Sequence, residues 1–368
     1  MQAMSILALQ KISGIGAEAI KKILLLPNYF EPESPSDLLE ILNEAKTKFG
    51  RISVPDIQAA NIGWDRAHEI LDISQKHDIQ IISKDSSDYP KPLLQIPDPP
   101  ALLHVKGNIN ALNKDCIAIV GTRNPTSFGA SQAKKYGESF AKEGYVVVSG
   151  LAKGVDSAAH KGALSSNGLT VAVLAHGLNT IYPSKNKQLA DNILENNGAL
   201  ISEHPWGTSS NRSFFVSRNR IQSGLSLGVL VIETKINGGT MHTVRFCEKQ
   251  NRALIVVRGA GNLIENENTR GNAQLITEKR ADVVLDNDNY NDINLVKAKM
   301  GNVKDALLDS DVLGNQSSFI LSKYSIDEKI NNVDAEYMNS KSSFQSNMDS
   351  IKVKDKTEKY VTRSIFDY

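Results

Sequence analysis

Cysteine is scarce in this 368-residue chain. Cys116 and Cys247 are too few for a disulfide framework, and a reducing cytoplasm is the expected setting. No apolar run reaches the ~18 residues a membrane span needs. The opening MQAMSILALQKISGIG has no basic n-region and no small-residue cleavage site, so a signal peptide is not expected. An excess of charge of one sign is also missing: 42 Lys and Arg face 41 Asp and Glu, for a net charge of +1. That balance excludes a uniformly basic nucleic-acid binder but not a local basic groove. Common catalytic signatures are absent. Without GxxxxGK followed by Ser or Thr, Walker-type hydrolysis is not expected, and no GxGxxG, GxSxG or HExxH appears. His160, His176, His204 and His242 lack metal-ligand spacing and any CxxC partner, so polar packing is their default and no metal or other cofactor is implied.

What the chain does contain is ordinary globular composition, 40% hydrophobic and 23% charged, enough for two or three domains at about 100–200 residues each. Its texture changes twice. Residues 1–78 look helical. SILALQKI and AEAIKKILLL flank the turn Ser13-Gly14-Ile15-Gly16, and Ile15, Ala19, Ile20, Ile23 and Leu24 recur at helical spacing. DLLEILNEAKTKF and IQAANIGWDRAHEILDISQKH give a second helical pair. From 79 to 285 the pattern alternates. IQIIS opens it, and a proline-rich stretch, DSSDYPKPLLQIPDPPALLHVKG, reads as neither helix nor central strand. Then come CIAIV, YVVVS, TVAVLA, ALIS, VLVIE and ALIVV, short and β-branched as strands buried on both faces should be. Helical patterns fill the gaps at 129–143, 154–166, 184–196, 215–226 and 239–250. The expected fold is α/β: an extended Rossmann-like parallel sheet with helices on both faces, preceded by a small helical domain. Residues 286–368 lose the pattern. They are polar and proline-free, and read as a weakly ordered region in which QSSFILSKYSIDEKI forms at most a short accessory element.

In an open parallel sheet, ligands bind beyond the carboxyl ends of the strands. The loops there carry Gly121, Thr122 and Arg123, then Ser149, Gly150 and Lys153, then Lys185 after Tyr182-Pro183. A long loop leads into Arg212, Phe215, Arg218, Asn219 and Arg220, and a fifth carries Gly239 and Thr240. Glycines let a backbone approach phosphate closely, and each loop opens a helix whose free N–H groups favour an anion. Taken singly, each feature also has a structural explanation: a glycine turn, a cap at Asp156 or Glu233, core rings at Phe214 and Phe215. The coincidence of five such loops on one edge points to a ligand bearing several phosphates, a polynucleotide or a dinucleotide.

The ordered series IAIVGTRNPTSFG, VVVSGLAKGVDSAAHKGAL, TVAVLAHGLNTIYPSKNKQLA, GALISEHPWG, FFVSRNRIQSGLS and VLVIET resembles the DNA-processing protein A family (DprA, also called Smf). The lead-in DSSDYPKPLLQIPDPPALLHVKGN and the later GNAQLI resemble it too. The resemblance implies a non-enzymatic, homodimeric, single-stranded-DNA-binding protein that loads the RecA recombinase during natural transformation. It assigns phosphate contacts to Arg123 and Lys185, and a nucleotide pocket to Arg212 and Phe215 ahead of Arg218-Asn219-Arg220. Departures from the family pattern are Val216 in place of a proline, Gly238-Gly239 in place of Ser-Gly, and Arg258-Gly259 in place of Pro-Gly. The winged-helix pattern of many members is absent from 286–368. The N-terminal Ile12-Ser13-Gly14-Ile15-Gly16 resembles a helix-hairpin-helix phosphate contact with Lys21 or Lys22, or is a packing turn. The alternative function is a small-nucleotide sensor or a phosphoribohydrolase of the LOG type, distantly suggested by Gly238-Gly239-Thr240, with Glu233 as its candidate carboxylate.

Overall fold

A computed structural model describes residues 2–27, 29–259, 266–286 and 292–310. Four helices come first: α1 (Ala3–Lys11), α2 (Ala17–Ile23), α3 (Pro35–Phe49) and α4 (Ile57–Lys76). Their starts and stops follow from local chemistry. Ser34 accepts from the Asp37 N–H and Asp56 from the Ala59 N–H, while Gly50, at φ 61°, ends α3. Ile15, Ile20 and Ile23 are buried, as their spacing predicts, in a core with Leu38, Ile41 and Leu42. Leu102, from the sheet that follows, belongs to the same core, so the helical module is seated on the sheet.

The alternating region forms β1 (Ile79–Ser83), α5 (Lys91–Leu94), β2 (Leu102–Gly107), β3 (Cys116–Val120), α6 (Ser127–Lys142), β4 (Val146–Ser149), α7 (Val155–Ser165) and β5 (Thr170–Val173). It continues through α8 (Lys187–Glu195), β6 (Ala199–Ser202), α9 (Arg212–Leu225), β7 (Gly228–Val231), α10 (Thr240–Lys249), β8 (Ala253–Val257), α11 (Arg270–Thr277) and β9 (Val283–Leu285). Among the described residues these strands make one nine-stranded sheet in the order β1-β2-β6-β5-β4-β3-β7-β8-β9. It is parallel from β6 to β9, and β2 and β1 add antiparallel at one edge.

Period-two alternation sends β3 side chains to two cores. Cys116, Ala118 and Val120 meet Ile221 of α9 and Val244 of α10, while Ile117 and Ile119 meet Phe140 of α6 and Ala159 of α7. The sheet is thus covered on both faces, which explains why its strands read as unbroken apolar runs.

Three elements differ from the sequence expectation. The proline-rich lead-in holds the single-turn helix α5, which Pro92 can enter because the first turn of a helix needs no N–H there. The same lead-in ends in β2, an interior strand paired with both β1 and β6. Its prolines stop at Pro100, so residues 102–107 keep every ladder N–H. A further helix follows beyond 285. Residues 292–308 are helical, and Ile293, Val296 and Met300 are buried against Ile255 and Leu230. Their apolar positions at spacings of three and four are hidden in a composition dominated by Asn, Asp and Lys. The compact unit runs to Leu308. QSSFILSKYSIDEKI and nearly all of the remaining tail lie outside the described residues.

His160 and His104 are sealed inside this unit. His160 of α7 donates from Nδ1 to Thr170 Oγ1 (2.7 Å), because that hydroxyl already donates to the Val147 carbonyl. His104 of β2 is 1% exposed. Burial lowers both imidazoles to about 3. Each therefore stays neutral in the fold while the unfolded chain takes up a proton near pH 6.5. Stability should fall as pH drops from about 6.5 towards 3, by up to about 1.4 kcal/mol per pH unit for each histidine. His160→Gln should flatten this acid limb in urea midpoints measured against pH. An unchanged slope would show that His160 is not held neutral.

Candidate nucleic-acid interface

Strands β4, β5 and β6 continue from β3 to one side of the sheet, and β7, β8 and β9 lie on the other. The direction in which successive strands are added therefore reverses at the parallel β3/β7 pair, and the loops beyond these strands diverge. A cleft of about 800 Å³ opens there, lined by the loops after β3 and β7, by the first turns of α9 and α10, and by Tyr182.

The loops are fastened by buried polar groups. The Thr122 N–H donates to the Glu233 carbonyl (2.8 Å) and the Val155 N–H to the Thr122 carbonyl (3.2 Å). Asp156 accepts from the N–H groups of Gly150 (3.1 Å) and Ala152 (3.4 Å), curling the loop after β4 around its carboxylate. Arg218, only 5% exposed, donates to the Gly150 carbonyl (3.0 Å) and to that of Val173. Burial pushes the Asp156 carboxyl up and brings the Arg218 guanidinium down to about 10, while their mutual attraction opposes both shifts. On the other wall the Asn272 amide donates to the carbonyls of Ile232 and Val257 (both 2.9 Å), and its oxygen accepts from the Thr234 N–H (2.8 Å). This gives GNAQLI a structural role: it holds the loop after β7.

Nine of the fourteen sequence-predicted site residues line the cleft: Gly121, Thr122, Arg123, Arg212, Phe215, Arg218, Asn219, Gly239 and Thr240. Gly150 and Lys153 line an adjoining recess of about 220 Å³ that shares Arg123, Ala152, Tyr182 and Phe215 with it. Three lie elsewhere. Ser149 is fully buried and its hydroxyl donates to the Ile119 carbonyl (2.7 Å), tying β4 to β3. Arg220 turns away into a two-pronged pair with Glu203 (2.9 and 2.7 Å) and also binds the Asp98 carbonyl (3.0 Å), fastening the lead-in segment to α9. Lys185 lines a separate groove. Arg218 and Arg220 are two residues apart on one helix, so they face different surroundings, which a motif string cannot show.

The adjacent rings also divide. Phe214 stacks on His204 with centroids 4.0 Å apart, whereas Phe215 meets Tyr182 (5.7 Å) and carries the Arg123 guanidinium over its face (5.3 Å). Tyr182, Asn211, Lys235 and His242 also line the cleft and were not predicted. Asn211 had a readable signal as the N-cap of α9, where it accepts from the Phe214 N–H (2.9 Å). Lys235 is paired with Glu267 (2.7 Å), while Arg123 and Arg212 are exposed and in no ion pair among the described residues. α10 starts at Thr240 with no side-chain cap, its Met241 and His242 N–H groups donating to the Gly238 (3.0 Å) and Gly239 (3.2 Å) carbonyls, and the positive end of its dipole faces the cleft. Asp156, the carboxylate among the lining residues, is committed to backbone N–H groups.

Glu233 is not at the cleft surface. It is fully buried, accepts from the Thr126 N–H (2.9 Å) and hydroxyl, and packs against Gly129. A carboxylate so engaged has no path to a glycosidic bond, so the one candidate for hydrolase chemistry is a structural anchor for α6.

Gly154 sits at the closest approach of two loops, with φ +81°, and a Cβ there would lie 2.6 Å from the Thr122 and Arg123 carbonyl oxygens. Backbone atoms cannot yield as a flexible side chain can. Gly154→Ala should therefore cost more than about 1 kcal/mol in urea unfolding and displace the Arg123 loop. A fully stable Ala variant would mean that the two loops can separate.

Known proteins share both sequence and fold with this chain. The family model described as DNA recombination-mediator protein A matches residues 80–293. Protein Smf of Escherichia coli is 41% identical over 179 residues, covering 49% of this chain and 48% of that protein. DNA processing protein DprA of Bacillus subtilis is 39% identical over 198 residues, covering 54% and 66%. The chain thus spans about half to two thirds of the length of these curated relatives. The X-ray structure of DprA from Streptococcus pneumoniae superposes with a TM-score of 0.64 at 28% identity, covering 77% of this chain and 95% of that one. DNA processing protein A from Helicobacter pylori, described for its single-stranded DNA binding mode, gives 0.52 at 27% identity, covering 61% and 96%. With the family's pattern extending over more than half of its length, and the fold to match, the chain belongs to the DNA recombination-mediator protein A family.

Proposed function

We propose that this protein binds single-stranded DNA in the cleft at the β3/β7 reversal and presents it to the RecA recombinase, acting as a cytoplasmic homodimer in natural transformation. The observation that carries the DNA-binding part is the meeting of Arg123, Arg212 and Phe215 at one opening, with no free carboxylate among its lining residues. Guanidinium groups in no ion pair attract phosphates, and the half-buried Phe215 ring, beside the exposed Tyr182 ring, offers aromatic surface to any base. Little in the cleft suits base-edge readout, so sequence preference is weak in this reading. The S. pneumoniae and H. pylori structures support it through the second protein's described binding mode. The recombinase and dimer roles rest on family membership alone.

The test is fluorescence anisotropy with labelled single-stranded and duplex DNA of equal length over a salt series. Single strands should bind more tightly, with strong salt dependence. Arg123→Ala should weaken binding to every sequence and reduce the salt slope by about 0.7, one phosphate contact on a single strand. Phe215→Ala should cost about 1–3 kcal/mol for each base that stacks there. Absence of binding at low salt would overturn the reading.

A further inference from the structure

A second groove, of about 530 Å³, lies between α7 and α8, away from the main cleft. Its polar lining comes from Lys161, Ser165, Lys185, Gln188, Asn192 and Asn196, with no carboxylate among the lining residues. Both lysines are exposed and in no ion pair among the described residues. The amides are fixed: Gln188 donates to the Asn192 side chain (2.9 Å) and Asn196 to the Asn192 carbonyl (2.8 Å). α8 begins at Lys187 without a side-chain cap, and although the Lys187 N–H donates to the Ser184 carbonyl, the positive end of the helix dipole lies beside Lys185.

The groove and the proposed DNA site are neighbours along the chain. Tyr182 and Pro183 line the 220 Å³ recess, and Lys185 and Asn186 line the groove. Three residues of chain span at most about 11 Å. The turn between them is held rigidly, because the Asn186 amide donates to the Leu151 carbonyl (2.7 Å) and to Ser157 Oγ (2.9 Å). Lys153, also in the recess, adds charge on the same route.

We infer that the α7/α8 groove is a second contact for the same single strand, which leaves the cleft past Tyr182 and lays its sugar–phosphate backbone across Lys185 and Lys161. This rests on the reading of the cleft as a single-strand site. Two cations, amides and no aromatic ring are the chemistry of backbone contact rather than base stacking, so the groove extends the site without adding sequence preference. It also gives Lys185 a role that the cleft geometry denies it.

The experiment compares oligothymidine of about 6 nucleotides, enough for the cleft, with one of about 20 nucleotides, enough for cleft and groove. The proteins are the wild type, the double variant Lys161→Gln/Lys185→Gln, and Arg123→Ala. The double variant should bind the short strand like the wild type. It should bind the long strand several-fold more weakly, with a salt slope smaller by about 1.4. Arg123→Ala should weaken both. Wild-type behaviour of the double variant on the long strand would overturn the groove while leaving the cleft intact. Equal losses on both lengths would also overturn it, because the lysines would then be acting on the cleft itself. Failure of the wild type to bind either strand would overturn the cleft reading, and the groove with it.

Discussion

The parallel pairing of β3 with β4 on one side and β7 on the other is the constraint on which the rest depends. A parallel strand needs a crossover to reach its neighbour, and crossovers from a central strand that run both ways must leave a gap between them. The loops after β3 and β7 cannot close over that gap, because each must enter a helix on its own face of the sheet. The cleft is therefore a product of topology, and the side chains around it decide only what it can hold.

Those side chains divide into groups that hold the loops and groups that are left exposed. Asp156, Arg218, Asn272 and Glu233 are nearly or fully buried, and each has its polar atoms engaged with backbone groups of the loops. Buried polar groups are costly unless paired, so these bonds fix the loops firmly. Arg123 and Arg212 sit above them with no carboxylate partner among the described residues. Cations left out of ion pairs beside a rigid opening favour an anionic ligand, because little must be reorganised when it arrives.

The helical module is tied into the same system. Trp206, in the loop that leads to α9, stacks on His77 at the end of α4 with centroids 4.1 Å apart. The Gly207 N–H donates to Asn179 (2.9 Å), linking that loop to the one carrying Tyr182. Arg220, through Glu203 and Asp98, joins α9 to the lead-in segment. The approach to the cleft is thus braced from the N-terminal module and from the sheet together.

The strands were legible because burial on both faces leaves a continuous β-branched run, and CIAIV, ALIS and ALIVV became β3, β6 and β8 at the expected residues. The positions of Arg123 and Phe215 at the carboxyl edge were legible for a related reason: strand–helix alternation fixes which loops share an edge. β2 was hidden behind prolines that end just before it, and the helix over 292–308 behind a polar composition in which Ile293, Val296 and Met300 face the core. Side-chain direction was not legible. Arg218 against Arg220, Phe214 against Phe215, and Glu233 against a free carboxylate each depend on what lies opposite in space. By itself the sequence determined the layered α/β architecture and the edge where the candidate site lies, because periodicity and alternation are local properties of the chain. Only the tertiary structure decided which charges stay unpaired there, because pairing partners come from segments far apart in sequence.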